Sequence, residues 1–123
     1  MSGNKIFLDT NIILYLLSGD NTIADLLHKK QLFISIITEL ELLAYKNLSL
    51  EEEKIIKEFI NQCKVISISN FIKHETIRIR KLYHTKLPDS IIIASALYLD
   101  LPLITADSDF KKVSELSLIY YEK

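Results

Sequence analysis

The sequence predicts an α/β fold, a three-layer α/β/α sandwich in which helices cover both faces of a mostly parallel central sheet of four to five strands. Three observations lead to this prediction. Short apolar runs, typical of fully buried strands, alternate along the chain with longer segments that carry a helical pattern. Only two glycines and two prolines occur in 123 residues, which indicates short connections. The length suits a single domain over residues 1–123.

The first strand runs directly into a helix through a polar turn. Residues 6–8 form a short apolar run, Asp9 and the two polar residues after it interrupt that run, and residues 12–17 resume it. Asp9 is therefore expected at the carboxyl end of a strand, where α/β sheets keep their ligand sites. An ordinary helix N-cap is the alternative role for this aspartate.

The same alternation continues through the middle of the chain. Thr38 stands three residues before Glu41, which is the spacing of a capping box, and the acidic residues after Ser49 suit the first turn of a helix. The predicted elements here are a helix from Asn21 or Thr22 to about Lys30, a strand over 32–35, a helix over 36–45, a helix from Ser49 to about Gln62, and a strand over 64–67.

The second half of the chain adds two longer helices. Asn70 is expected to cap a helix that ends near His84, and Pro88 suits the start of a helix over 89–99, because proline is tolerated in a first turn and not deeper. The predicted apolar stripe of the first of these helices consists of Ile72, Thr76, Ile79, Leu82 and Tyr83. The remaining predicted elements are a strand over 101–105, a short helical piece over 107–115 and a strand over 118–121.

Composition narrows the functional classes. The formal net charge is −1, so no overall field attracts nucleic acid or an anionic membrane, and a polyanion would have to meet a local patch. The longest uncharged apolar run, residues 91–99, is too short to span a membrane, and the N-terminal residues do not have the pattern of a signal peptide. The single Cys63 excludes an internal disulfide. We therefore expect a cytoplasmic protein.

Four acidic residues fall at positions that a parallel sheet brings together. Glu41 follows the second predicted strand, Asp89 opens a helix, and Asp107 follows the fourth strand. Because the carboxyl ends of parallel strands meet at one edge, we expect these side chains to lie near Asp9. Each acid could instead cap a helix, but capping does not require carboxylates, which repel one another when clustered. Oxygen ligands without a His or Cys cluster favour Mg²⁺ or Mn²⁺ over zinc.

At these acids the sequence resembles the PIN-domain nucleases. The four segments that carry the resemblance are Asp9-Thr10-Asn11, Thr38-Glu39-Leu40-Glu41-Leu42, Leu87-Pro88-Asp89, and Thr105-Ala106-Asp107-Ser108-Asp109-Phe110. They lie in the order of the family's acidic motifs, and together they span almost the whole chain. The length is most like that of the VapC toxins of toxin-antitoxin pairs. The resemblance implies a PIN-like fold and a Mg²⁺- or Mn²⁺-dependent endoribonuclease that leaves a 5′-phosphate and a 3′-hydroxyl.

The resemblance also implies roles for individual residues. Asp9, Glu41, Asp89 and Asp107 match the family's catalytic, metal-binding acids. Asn11 and Thr105 match supporting polar positions, and Asp109 matches a frequent additional metal-binding acid. Glu39 is an alternative to Glu41, although two residues so spaced on a helix cannot both face one site. The chain lacks the family's glycines after the second motif and before Leu87, which puts the loop geometry in question.

The expected partners are RNA, a cognate antitoxin and a second copy of the chain. The antitoxin and the homodimer are implied by the resemblance, and an apolar share of 49% is compatible with both. A basic segment leading to Asp89 could contact RNA phosphates, and its candidate contacts are Arg78, Lys81 and Lys86. A solvated helix face is the alternative for these residues.

Two other functions remain open from the sequence. One is an inactive PIN-like module that only binds a partner or RNA. The other is an aspartyl-phosphate phosphatase with Asp9 as nucleophile, although such enzymes require a second Asp where this chain has Asn11.

Overall fold

The central sheet has five strands, all parallel, in the order β3-β2-β1-β4-β5. In the computed structural model, which describes residues 3–123, the strands are β1 Lys5–Leu8, β2 Gln31–Ser35, β3 Lys64–Ile66, β4 Leu103–Thr105 and β5 Leu118–Tyr120. Met1 and Ser2, the start of the N-terminal stretch that does not have a signal-peptide pattern, lie outside the described residues. The predicted α/β architecture is confirmed, and the mostly parallel sheet is entirely parallel.

The helices pack on the two faces of this sheet. They are α1 Thr10–Leu17, α2 Asn21–Leu27, α3 Ile36–Leu43, α4 Leu50–Asn61, α5 Asn70–Tyr83 and α6 Leu87–Leu99, followed by a 3₁₀ helix, Ser108–Lys112. Alternation along β1 assigns the faces. Ile6 and Leu8 join a core with α1, α2 and α4, whereas Phe7 joins a second core with α5, α6 and the 3₁₀ helix. Both cores consist of apolar side chains, so the sheet is buried on both sides as parallel sheets usually are.

The strand order reverses between β1 and β4. Strands β2 and β3 extend the sheet on one side of β1, and β4 and β5 extend it on the other. Helices α1 and α3 follow β1 and β2, whereas α5 and α6 precede β4. These two pairs of helices leave the sheet in different directions, which opens a crevice beyond the carboxyl ends of β1 and β4. In open α/β sheets such a switch point is the usual ligand site.

Several helix starts differ from the predicted ones by one or two residues. Helix α2 is capped by Asp20 rather than by Asn21 or Thr22, because the Asp20 carboxylate accepts from the Ile23 N–H. Helix α5 is capped by Ser69 rather than Asn70, and its hydroxyl accepts from the Ile72 N–H. Neighbouring capping residues are equivalent in sequence, and only the backbone path selects between them.

The expected capping box of Thr38 and Glu41 is wrong. Ser35 caps α3 by accepting from the Ile37 N–H, and Thr38 is a fully buried residue inside the helix. The box that does form joins Ser49 and Glu52 at the start of α4, where each side chain accepts from the other residue's backbone N–H.

The predicted stripe of α5 is correct except at one position. Ile72, Thr76 and Ile79 are buried, but Leu82 is 56% exposed. The buried residues follow each other at helical spacing of four and three, and Leu82 lies to the side of that line.

Among residues 3–123, none of these helices has both the length and the apolar character needed to cross a membrane.

Arg78 of α5 is engaged in an ion-pair cluster. Its guanidinium donates to the carboxylates of Glu75 and Glu115, at distances of 2.8–3.1 Å. Glu115 also accepts from the Tyr83 hydroxyl at 2.6 Å. These hydrogen bonds, first those from Arg78, lower the pKa of Glu115 to about 2. The cluster ties the segment after the 3₁₀ helix to α5.

We predict that Glu115→Gln destabilises the protein in a pH-dependent manner. A depressed carboxyl pKa contributes stability above the ordinary pKa and loses it as the pH falls toward the folded value, here about 2. At pH 7 we expect a loss of about 0.5–1 kcal/mol in the free energy of unfolding, since the pair is largely exposed and screened. Urea denaturation at pH 7 and pH 3 measures the difference, which should shrink at pH 3.

Glu58→Gln, on the exposed face of α4, is the matched control and should change little. A Glu115→Gln protein as stable as the wild type at pH 7 would contradict a stabilising role for the cluster.

Candidate active site

A cleft of about 370 Å³ opens at the carboxyl edge of the sheet, at the switch point between β1 and β4. The structure brings the four predicted acids to this cleft from four separate segments of the chain. Its lining residues are Asp9, Thr10, Asn11, Glu41, Ala44, Tyr45, Asp89 and Asp107. The supporting residue Asn11 is therefore also at the cleft. Ala44 and Tyr45 belong to the lining as well, and no sequence motif singles them out.

Asp9 is the most buried of the four acids, with 5% of its surface exposed. Its Oδ1 accepts from the Thr10 N–H at 2.8 Å, and its Oδ2 accepts from the Thr105 hydroxyl at 2.6 Å. Burial raises the pKa of Asp9, and the charges of Asp107 and Glu41 add to this effect against the two hydrogen bonds. Asp9 also caps α1, so the alternative role and the predicted position in the cleft hold together.

Glu41, not Glu39, lines the cleft. The Thr10 hydroxyl lies 2.6 Å from Glu41 Oε1 and 3.1 Å from the hydroxyl of Thr38. A carboxylate only accepts, and a hydroxyl has one proton, so the proton of Thr10 is directed to Glu41. Thr38 and Glu41 lie three residues apart on α3. This spacing places both side chains next to Thr10, at the boundary between α1 and α3.

Asp89 lies in the first turn of α6, which begins at Leu87 rather than at the predicted position 89. Burial, followed by the negative charges of Asp9, Asp107 and Glu41, raises the pKa of Asp89 to about 6, while the nearby charge of Lys86 opposes this. The other three acids thus add to the effect of burial on the pKa of Asp89.

The loop before Asp89 is fixed by buried hydrogen bonds. The Arg80 guanidinium donates to the Thr85 carbonyl at 2.6 Å, and the hydroxyls of Thr85 and Ser90 lie 2.5 Å apart. Thr85 and Ser90 are both almost fully buried. The sequence analysis did not assign Arg80, Thr85 and Ser90 a role in the site. Two hydroxyl residues next to an acidic motif were nevertheless a usable signal, because buried polar groups need hydrogen-bond partners.

Thr105 connects Asp107 with Asp9. Besides donating to Asp9, its hydroxyl oxygen accepts from the Asp107 N–H at 3.0 Å. Asp107 in turn caps the 3₁₀ helix, because its Oδ1 accepts from the Asp109 N–H at 2.9 Å. Asp109 is exposed and is not among the residues that line the cleft. The expected additional metal ligand therefore contributes a backbone N–H to the site rather than a carboxylate.

The donor set of the cleft fits a hard divalent cation. Carboxylates dominate it, and the histidines of the described chain, His28, His74 and His84, do not line it. Within residues 3–123 no three acidic, histidine or cysteine side chains converge closely enough to ligate one ion together. Mg²⁺ does not require such a cage, since it keeps several waters and binds proteins through one or two carboxylates. Such an ion offsets the clustered negative charge that, together with burial, raises the pKa of Asp89.

Comparison with known families decides what kind of cleft this is. The family model of the PIN domain matches residues 6–116. The chain belongs to the PIN domain family. PIN domains are generally nucleases.

Solved structures agree with this assignment. The PIN domain is 31% identical to a chain of the toxin-antitoxin complex from Klebsiella pneumoniae, with a TM-score of 0.83 over 96% of this chain and 99% of that chain. It is 24% identical to a chain of VapBC-1 from nontypeable Haemophilus influenzae, with a TM-score of 0.78 over 97% and 99% of the two chains. For DNA-bound VapBC from Salmonella typhimurium the identity is 20%, the TM-score 0.80, and the coverage 94% and 97%. The last two show the fold alone. A comparison with curated protein sequences gave no match.

We predict that Asp89→Asn stabilises the metal-free PIN domain. An acid whose pKa is raised to about 6 favours folding below its ordinary pKa of 3.8, and this contribution is lost as the pH rises through 6. Allowing for solvent screening of a half-buried group, we expect the variant to melt roughly 2–5 °C higher than the wild type at pH 8 with a chelator. The difference should fade as the pH is lowered from 6 toward 4.

Mg²⁺ added in place of the chelator should raise the melting temperature of the wild type more than that of Asp89→Asn. Asp25→Asn, an exposed acid on α2, is the control and should respond to Mg²⁺ like the wild type. A variant that melts below the wild type at pH 8 without metal would contradict the electrostatic repulsion.

Proposed function

We propose that this PIN domain is a divalent-metal-dependent endoribonuclease and the toxin of a toxin-antitoxin pair. One observation carries the nuclease proposal: Asp9, Glu41, Asp89 and Asp107 come from four distant segments and line one cleft at the switch point of the sheet. Helix capping accounts for Asp9 and Asp107 individually, but it does not account for four like charges gathered in one place.

The four acids would hold one or two Mg²⁺ or Mn²⁺ ions. Such an ion, when bound, lowers the pKa of water and offsets the charge that develops on phosphodiester oxygens during hydrolysis. The residues of the chain have the task of orientation. Thr10 and Thr105 fix both oxygens of Asp9, and Thr10 also fixes Glu41, so these carboxylates are held before any ligand arrives.

The basic residues near Asp89 are proposed to position the RNA strand. Arg78 is the weakest of the three candidates, because Glu75 and Glu115 already neutralise its charge. Lys81 lines a cavity of about 570 Å³ next to the start of α6, together with Arg80, His84 and Leu87. Lys86 is the residue before α6 and lowers the pKa of Asp89 through its charge. We therefore keep Lys81 and Lys86 as the proposed phosphate contacts and no longer include Arg78.

The toxin assignment is supported by the relative with the highest identity given above. That relative, 31% identical, comes from a toxin-antitoxin complex of Klebsiella pneumoniae. On that basis we infer a cognate antitoxin for this chain, and we further propose a homodimer and a cytoplasmic location, as the resemblance to VapC toxins implies. Large apolar side chains on its surface, such as Leu40, Phe71 and Leu87, each more than half exposed, are compatible with protein partners.

Neither alternative from the sequence gains support. An inactive binding module has no need for all four acids, and the family that the chain matches is the PIN domain rather than a phosphatase family. Asn11, which lines the cleft, also stands where a phosphatase needs a second aspartate.

We predict that Asp9→Asn and Asp89→Asn each reduce RNA cleavage by at least about 100-fold, since loss of a group on which charge stabilisation depends commonly costs this much. EDTA should abolish cleavage by the wild type, and Mg²⁺ or Mn²⁺ should restore it. Cleavage of a labelled RNA with mass analysis of the fragment ends measures both effects and should reveal 5′-phosphates. Asp25→Asn is the control and should cleave normally. Cleavage that persists in Asp9→Asn would refute the proposed function.

A second prediction concerns binding of RNA. Charge reversal at Lys81 and Lys86 should weaken RNA binding by Asp89→Asn, used here to prevent cleavage, and should reduce the slope of log affinity against log salt by about 1.4, or 0.7 per lost contact with a single strand. Fluorescence anisotropy at several salt concentrations measures the slope. Lys54→Glu, on the exposed face of α4, is the control matched in charge to each single reversal. An unchanged slope would favour a solvated helix face without RNA contacts.

A further inference from the structure

Tyr45 lies between two cavities. It follows the end of α3, in the connection of residues 44–49 that leads to α4, and its side chain is 48% exposed. On one side it lines the acidic cleft with Glu41. On the other side it lines a smaller groove of about 210 Å³ between α1 and α4. The same aromatic residue thus forms a wall shared by the candidate active site and by a neighbouring groove.

The groove is apolar and contains no cation. Its lining residues are Leu14, Leu17, Ser18, Tyr45, Leu48, Glu52, Ile55 and Ile56. The carboxylate of Glu52 is held in the capping box with Ser49, so it is directed to the backbone at the start of α4. A phosphate has no partner in this groove and would meet one negative charge there. A flat, largely apolar group is the chemistry that the groove accepts.

We infer that Tyr45 and this groove form a nucleobase subsite, in which one unpaired base of the RNA substrate stacks on the Tyr45 ring while the adjoining phosphate lies in the acidic cleft. The inference rests on the proposed nuclease function and adds a residue that the acidic motifs do not include. Charged phosphates and flat bases alternate along a nucleic acid strand. The acidic cleft and the apolar groove alternate in the same way across the shared wall.

The size of the groove is sufficient for a single base. Its volume is about 210 Å³, and it is open to solvent on the side of Tyr45. Stacking on an aromatic ring accepts any base, because every base has a π-face. The subsite therefore predicts a preference for single-stranded RNA at the cut, with little selectivity for the identity of the base.

Kinetics of RNA cleavage test the subsite. Stacking of one base is worth about 5- to 100-fold in binding, so Tyr45→Ala should raise KM for a single-stranded RNA by that factor and change kcat by less than about twofold. Tyr45→Trp, which keeps an aromatic face, should retain a KM near that of the wild type. Tyr98→Ala is the control, since Tyr98 is 50% exposed on α6 and lines neither cavity. Circular dichroism and melting of each variant confirm that it is folded.

A binding experiment separates this inference from the proposed function. In an Asp9→Asn background, an RNA with one 2-aminopurine should show quenched fluorescence on binding when Tyr45 is present, and the quenching should be lost with Tyr45→Ala. An unchanged KM and unchanged quenching in Tyr45→Ala would overturn the subsite, even if Asp9→Asn abolishes cleavage. Occupation of the groove by a partner peptide, with RNA binding unaffected by Tyr45→Ala, would overturn it equally. Cleavage that persists in Asp9→Asn would refute the nuclease site itself, whatever Tyr45 does.

Discussion

The burial of the Asp9 carboxylate is the constraint on which the rest of the site depends. An ionisable group with 5% of its surface exposed must be hydrogen-bonded or the fold loses several kcal/mol. The donors come from both sides of the strand junction, the Thr10 N–H from the start of α1 and the Thr105 hydroxyl from the end of β4. Because β1 and β4 are neighbours at the switch point, this single carboxylate links the two halves of the sheet.

The threonines next to Asp9 extend this constraint to Glu41 and Asp107, because each hydroxyl has only one proton to donate. The Asp107 N–H donates to the Thr105 hydroxyl oxygen, and the single hydroxyl proton of Thr105 is donated to Asp9. The backbone at Asp107 is therefore linked to Asp9 through Thr105. The Thr10 hydroxyl likewise donates its proton to Glu41. Two threonines thus set the spacing of three negative charges that would otherwise separate. The charges remain close enough for the pKa of Asp89 to rise to about 6.

Sequence reasoning succeeded where a local pattern and a general rule of topology coincide. The carboxyl ends of parallel strands share one edge, so Asp9, Glu41 and Asp107 could be placed together before any coordinates existed. It failed where the partner is remote or equivalent to a neighbour. Arg78 was predicted to contact RNA, but its charge is neutralised by the nearby Glu75 and by Glu115, which lies 37 residues away along the chain. Ser69 and Asn70 are interchangeable as caps until the backbone path is known. The strand order was not predictable, because strands this short and apolar carry no register signal.

The two loops that lack the family's glycines show how the site tolerates that loss. Asn47, after the second motif, has φ of 64°, and His84, before Leu87, has φ of 59°. Both therefore adopt the left-handed conformation that glycine adopts freely, and Asn and His are among the residues that tolerate it best.

The cost at His84 is offset nearby, where Arg80 donates to the Thr85 carbonyl and Thr85 meets Ser90. Both loops also hold residues with proposed roles: the connection containing Asn47 carries Tyr45, and the one containing His84 leads to Lys86 and Asp89. Both left-handed residues therefore lie in connections that lead to residues lining the cleft, Tyr45 in one case and Asp89 in the other.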